Sequence, residues 1–67
     1  MHNIKDIGAL IRETRKGQGL TQPELAAASG VGLRFLVELE NGKETAQIGK
    51  AVAVIQALGF EIAIQKR

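Results

Sequence analysis

Residues 21–42 read TQPELAAASGVGLRFLVELENG, and this stretch decides the fold because it predicts two short helices joined by a tight turn. Thr21 and Glu24 have the spacing of a capping box, in which each side chain accepts a hydrogen bond from the backbone amide of the other. Pro23 suits the first turn of a helix, where an N–H has no partner within the helix. Gly30 suits the connection between the two helices, because glycine adopts left-handed backbone angles without steric cost.

Apolar residues recur at helical spacing on both sides of this stretch. They predict a first helix over about residues 3–18 and a fourth over about residues 46–58. Asn41-Gly42 is expected to end the third helix, because both residues tolerate left-handed angles. The residues predicted to face the core are Ile4, Ile7, Leu10, Ile11 and Thr14 in the first helix, Val31, Leu36 and Leu39 in the middle, and Ile48, Val52, Ile55 and Leu58 in the fourth.

The end of the chain changes its period. Phe60, Ile62 and Ile64 alternate with other residues over 60–65, which predicts a β-strand. The chain offers no second strand candidate, so these three residues must pair with their own copies or with a different protein. Pairing across the twofold axis of a homodimer is the simplest solution, and we expect it here. The predicted fold class is all-α with a short C-terminal β-strand, in a single four-helix domain over residues 1–67.

Composition limits the functions open to the chain. A domain of 67 residues buries only about 60% of its unfolded surface, which favours self-association. There is no cysteine and the one histidine is His2, so we expect no metal, no cofactor and no enzymatic activity. No apolar run approaches the roughly 18 residues of a membrane span and no signal-peptide pattern opens the chain, so we expect a cytoplasmic protein without membrane contact. The net charge of +2 permits an acidic polymer as partner.

The predicted helix-turn-helix over residues 21–41 indicates that this polymer is DNA. In this geometry two short helices cross closely and the second lies in the major groove. Ala26 and Ala27 are small enough for a close crossing, and Ser29-Gly30-Val31 supplies the turn.

Specific residues carry a resemblance to a known family. Thr21-Gln22, Glu24-Leu25-Ala26, Ser29-Gly30-Val31 and Leu39-Glu40-Asn41-Gly42 resemble the Cro/C1-repressor type of helix-turn-helix, known as the XRE family. That family usually adds a fifth helix where this chain has the predicted strand. The strand, with the run GKETAQIGK before it, resembles the HipB-like antitoxins. The resemblance implies a dimeric repressor of a palindromic operator in double-stranded DNA, which regulates its own operon and binds a HipA-like kinase toxin.

The resemblance also implies roles for individual residues. Glu40 is expected to be structural and to tie the turn to Arg12 or Arg15, while Arg12, Arg15, Lys16 and Lys50 are flanking DNA contacts or solvated surface. The implied base-reading residues are Gly32, Leu33, Arg34, Val37 and Glu38, and the implied backbone or phosphate contacts are Thr21, Gln22, Asn41 and Lys43.

Two of these positions depart from the family pattern. Leu33 and Val37 stand where polar side chains are common, and an apolar side chain can contact a thymine methyl group but forms no hydrogen bond. Arg34 alone can bind a guanine through two hydrogen bonds, and Glu38 either accepts from a cytosine amino group or repels incorrect sites. The alternative interpretation is a protein-binding adaptor with a degenerate helix-turn-helix, in which Leu33 and Val37 contact another protein.

Overall fold

Four α-helices follow one another in the computed structural model, which describes residues 4–43 and 47–60, with side chains from Asp6 onward. That part of the chain contains no strand. None of its helices is long and apolar enough to cross a membrane. The helices are α1 (Ile4–Gly17), α2 (Gln22–Ser29), α3 (Leu33–Glu40) and α4 (Ile48–Ala57).

The start of α2 is fixed by the predicted capping box. The Thr21 amide donates to Glu24 Oε1 at 2.8 Å, and the Glu24 amide donates to Thr21 Oγ1 at 3.2 Å. Two amides that a helix leaves without partners are thereby satisfied, which stabilises a helix of only eight residues. Gly32 precedes α3 and offers no side-chain cap, so α3 depends more on packing than α2 does.

All four helices end in the same way, at a glycine with positive φ. After α4, for example, the Gly59 amide donates to Gln56 O at 3.0 Å and the Phe60 amide donates to Ile55 O at 3.3 Å. This pair of bonds is the Schellman motif, which satisfies the last carbonyl groups of a helix. The glycines at these four ends are Gly19, Gly30, Gly42 and Gly59.

The prediction of a C-terminal β-strand that pairs across a dimer axis is wrong for the residues that the structure describes. Phe60, the first residue of the predicted strand, uses its amide to close the end of α4 and therefore has no N–H to offer to a strand ladder. Residues 61–65, with Ile62 and Ile64, lie outside the described residues. The described fold is all-α.

The core lies where α2 meets α3 and α4. Its fully buried side chains are Ile11, Leu25, Leu36, Leu39 and Val54, with Ala26, Ala51 and Leu58 around them. The prediction that Ile11, Leu36, Leu39 and Leu58 face the core is therefore confirmed. The small Ala26 sits in this core, where a longer side chain would hold the helices apart.

The buried side of α4 differs from the predicted one. Ile48 is 81% exposed, and Val52 and Ile55 are only half-buried, whereas Ala51 and Val54 are buried. At 100° per residue this places the buried face about a quarter of a turn from the predicted stripe. Leu10, predicted to widen the apolar stripe of α1, is also exposed.

The contact between α1 and the end of α3 is close enough to require a glycine. A Cβ atom built on Gly8 would collide with the carbonyl oxygen of Leu39 and lie 3.1 Å from that of Glu40. These atoms belong to the backbone of α3, so they cannot move aside as a flexible side chain would. Gly8 therefore sets the distance at which α1 packs against α3.

We expect Gly8→Ala to lower the free energy of unfolding by about 2–3 kcal/mol, because the added methyl group forces α1 and α3 apart. Gly49→Ala is the matched control, since Gly49 also lies in a helix but has open space around it. That variant should be neutral or more stable by up to about 1 kcal/mol, because alanine favours helix. Urea unfolding followed by far-UV circular dichroism measures both. Equal losses in the two variants would contradict the tight contact at Gly8.

Candidate nucleic-acid interface

The predicted base-reading residues lie along the outer side of α3 and just before it. Gly32 and Arg34 are exposed, and Leu33 is 46% exposed. Val37 and Glu38, one turn further along, are half-buried. The opposite side of α3 carries Leu36 and Leu39, which are fully buried. The helix therefore turns one face to the core and a mixed apolar and charged face to the surface.

Glu38 and Lys43, two residues predicted to contact DNA, form an ion pair with each other. Lys43 Nζ lies 2.9 Å from Glu38 Oε2, with the lysine side chain 49% and the glutamate side chain 35% exposed. The hydrogen bond from Lys43 is the main cause of a lowered pKa at Glu38, and Lys43 and Arg34 add electrostatic attraction. An ion pair this exposed contributes about 0–1 kcal/mol, so a phosphate group can compete for Lys43 at small cost.

A buried ion pair links α1 to the end of α3. Arg15 Nε lies 2.7 Å from Glu40 Oε2, Arg15 Nη2 donates to Glu40 Oε1 at 3.0 Å, and both side chains are at least nine-tenths buried. Arg15 Nη1 also donates to the Leu20 carbonyl oxygen at 2.8 Å, which ties the segment before α2 to α1. The bond to Glu40 raises the pKa of Arg15. The expected link between Glu40 and α1 is thus confirmed, with Arg15 rather than Arg12 as the partner.

Gln22 joins this network, which the sequence did not indicate. Its Nε2 donates to Glu40 Oε1 at 3.2 Å, so the first residue of α2 is bonded to the last residue of α3. The two residues are 18 positions apart in the chain, and nothing in their local sequence marks them as partners. Gln22 is half-buried, so part of its amide remains open to solvent.

The other two residues assigned to the DNA backbone have local roles at helix ends. The Thr21 hydroxyl accepts from Glu24 in the capping box. α3 ends at Asn41-Gly42 as predicted, and of these two residues only Gly42 adopts left-handed angles, since φ of Asn41 is −85°. The amides of Asn41 and Gly42 donate to the carbonyl oxygens of Val37 and Leu39. They are therefore occupied within α3, while the side chain of Asn41 is exposed.

Further positive charge lies on α1 and α4. Arg12 and Lys16 are exposed on α1, and Lys50 Nζ lies 5.6 Å from the centre of the Phe35 ring. This cation–π contact covers the half-buried ring of Phe35 and brings a charge of α4 next to α3. The described residues contain no group of three or more side chains arranged to hold a metal ion.

Comparison with known proteins places this arrangement among regulators of transcription. The helix-turn-helix family HTH_3 matches residues 11–65. An uncharacterised HTH-type transcriptional regulator of Sinorhizobium fredii, y4mF, is 63% identical over 59 residues, which cover 88% of this chain and 78% of the relative. A second uncharacterised HTH-type transcriptional regulator, from Methanothermobacter thermautotrophicus, is 44% identical over 52 residues, covering 78% and 75% of the two chains. The ImmF control region 10 kDa protein of Bacillus phage phi105 is 44% identical over 39 residues, covering 58% and 43%.

We expect the Glu38 carboxyl group to titrate below the usual glutamate pKa of about 4.3, because Lys43 donates to its charged form. A lowered folded-state pKa stabilises the fold above the unfolded-state pKa, and this contribution is lost as pH falls through the folded-state value. In Lys43→Met the pKa should return towards the usual value, while Lys16→Met, a loss of positive charge on α1, should leave it unchanged. NMR titration of the side-chain carboxyl carbon measures each. An unchanged Glu38 pKa in Lys43→Met would contradict the pairing.

Proposed function

The chain belongs to the helix-turn-helix family HTH_3 and is a DNA-binding transcriptional regulator, and from this premise we propose that it is a sequence-specific repressor that binds a palindromic operator as a homodimer. The observation that carries the proposal is the outer face of α3, where Arg34 is exposed next to Leu33 and no core contact covers it. In a helix-turn-helix this face enters the major groove.

The residues in and around α3 have different proposed roles in DNA recognition. Arg34 is the base-reading residue, because a guanidinium group matches the two acceptors of guanine and discriminates by about 1–3 kcal/mol. Leu33 is placed to contact a thymine methyl group. Glu38 can accept from a cytosine amino group and disfavours sites where it would meet an acceptor. Gln22 and Lys43, on either side of α3 in the chain, are the phosphate contacts that set the position of the helix in the groove.

A homodimer is proposed because a single face of eight residues can read only a short sequence. Two copies place two recognition helices about 34 Å apart, on successive major grooves of one side of the DNA. The exposed Ile48 and the half-buried Val52, one turn further along, form an apolar strip on α4 that supports self-association.

We expect the protein to bind a duplex selected from a random DNA pool more tightly than a shuffled duplex, with log affinity falling linearly with log salt. Arg34→Ala should lose about 1–3 kcal/mol of discrimination at one base pair of each half-site. Arg12→Ala, which removes an exposed charge on α1, is the control and should leave sequence preference unchanged. Fluorescence anisotropy over a series of salt concentrations and single-base substitutions measures these effects.

The outcomes of this experiment separate two functions. If Arg34→Ala weakens binding to all sequences equally, Arg34 is a phosphate contact and not a base-reading residue. If the wild type binds DNA weakly, without dependence on salt or sequence, the adaptor interpretation replaces the repressor. The 46% exposure of Leu33 favours that alternative, because an exposed leucine on a recognition helix is also suited to a protein partner.

We further propose that the repressor is a HipB-like antitoxin that binds a HipA-like kinase toxin and regulates the operon that encodes both. The resemblance of its sequence supports this role, as do exposed apolar side chains on three helices: Leu10, Leu33 and Ile48. We expect a kinase encoded next to this chain to copurify with it in a stoichiometric complex when the two are coexpressed. Replacement of Leu10 by Asp should abolish the complex if α1 is the contacted helix, and replacement of Leu33 by Asp should do so if α3 is. A neighbouring kinase that elutes separately from the wild type would contradict the antitoxin role.

A further inference from the structure

The bond between Gln22 and Glu40 fixes one end of a side-chain amide. Glu40 is the more buried member of the Arg15–Glu40 pair, with its side chain 1% exposed. Its Oε1 accepts from both Arg15 Nη2 and Gln22 Nε2. A carboxylate held by a guanidinium group accepts hydrogen bonds and donates none. It therefore attracts the nitrogen of the Gln22 amide and repels the oxygen.

This preference matters because a glutamine amide is nearly symmetrical in shape but opposite in polarity at its two ends. A free glutamine next to DNA presents its oxygen as readily as its nitrogen, and an oxygen facing a phosphate group is repelled. In this structure one N–H of Gln22 is bonded to Glu40, and the second N–H on the same nitrogen remains for another acceptor.

The charge of Glu40 does not oppose a phosphate group at this position. Arg15 neutralises the carboxylate through two hydrogen bonds, so the buried pair has no net charge. The same guanidinium group donates to the Leu20 carbonyl oxygen and so anchors the backbone two residues before Gln22. Arg15 and Glu40 therefore hold both the backbone that leads into α2 and the first side chain of that helix.

We propose that Glu40 is a positioning residue for DNA binding: it holds the Gln22 amide with its nitrogen inward, so that the second N–H of Gln22 donates to a DNA phosphate oxygen. The inference rests on the proposed function, in which Gln22 contacts phosphate. The buried ion pair then positions the Gln22 amide in addition to joining α1 to α3. A purely structural pair needs only its own two hydrogen bonds and gains nothing from the polarity of Gln22.

The experiment uses duplexes of the selected operator in which one phosphate at a time is replaced by an uncharged methylphosphonate. Gln22→Met keeps the length of the side chain and removes its donor, and we expect it to bind the natural operator about tenfold more weakly. Gln56→Met, an exposed glutamine on α4, is the matched control and should bind as the wild type does. One methylphosphonate position should weaken the wild type and leave the affinity of Gln22→Met unchanged, which identifies the phosphate that Gln22 contacts.

Glu40→Gln then tests the positioning role, since glutamine at this position offers a donor as well as an acceptor and no longer selects the nitrogen of Gln22. We expect binding to the natural operator to weaken roughly fivefold, the cost of ordering one free side chain. Against the duplex with the identified methylphosphonate, Glu40→Gln and the wild type should bind equally. Damage to the fold would weaken binding to both duplexes alike, and that result would overturn the proposal.

Glu40→Gln leaves Arg15 buried without a charged partner, so a second variant provides a fold control. Arg15→Met with Glu40→Leu replaces the whole pair by apolar side chains of similar volume, an exchange that often preserves stability. Thermal unfolding checks this. The double variant should show the same fivefold loss on the natural operator, and adding Gln22→Met should bring the total loss only to the roughly tenfold of Gln22→Met alone. Additive losses would overturn the proposal. Absence of salt-dependent binding by the wild type would instead show that the proposed function itself has failed.

Discussion

The buried ion pair between Arg15 and Glu40 is the interaction on which the rest of the described structure depends. Through Leu20 and Gln22 its two side chains join α1, the entry to α2 and the end of α3. Its net contribution to stability is expected to be small, because removing two charges from water costs about as much as their attraction returns. The ion pair matters more for geometry than for stability. Its hydrogen bonds have fixed directions, so they define the relative orientation of α1, α2 and α3 more strictly than apolar contacts alone would.

Gly8 lies in the same contact between α1 and α3, about two helical turns before Arg15. Because no Cβ separates α1 from the carbonyl groups of Leu39 and Glu40, the two helices approach closely enough for Arg15 to reach Glu40. The ion pair was expected only from the resemblance to the family, and the close approach at Gly8 was not predicted at all. A glycine in the middle of a helix weakens that helix when considered alone, and only the packing against α3 explains its presence.

The sequence predicted those features that depend on neighbouring residues. The capping box of Thr21 and Glu24 and the glycine at each helix end follow from local backbone chemistry, and the structure contains them. The buried face of α4 was predicted wrongly because that helix has apolar residues on most of its sides. Which side is buried is decided by packing against α2, where Ala51 permits a closer approach than Ile48 would. The strand prediction was wrong at Phe60 for a similar reason. An apolar residue that follows a glycine can also close the end of a helix, and the Phe60 amide does this by donating to the Ile55 carbonyl oxygen.

In the candidate site too, the sequence indicated individual residues but not their partners. The two partner carboxylates, Glu38 and Glu40, differ in how easily they can be replaced by a phosphate group. The resemblance marked Gln22 and Lys43 as phosphate contacts, but their partners Glu40 and Glu38 become visible only in three dimensions. The Glu38 side chain is 35% exposed, so Lys43 can leave it for a phosphate group at little cost. Glu40 is buried and held by Arg15, so Gln22 has no need to leave it and can add a second acceptor instead. Lys43 can therefore exchange its partner, whereas Gln22 keeps its bond to Glu40. In the proposed DNA complex, Lys43 would contribute mainly electrostatic attraction and Gln22 mainly a hydrogen bond of fixed position.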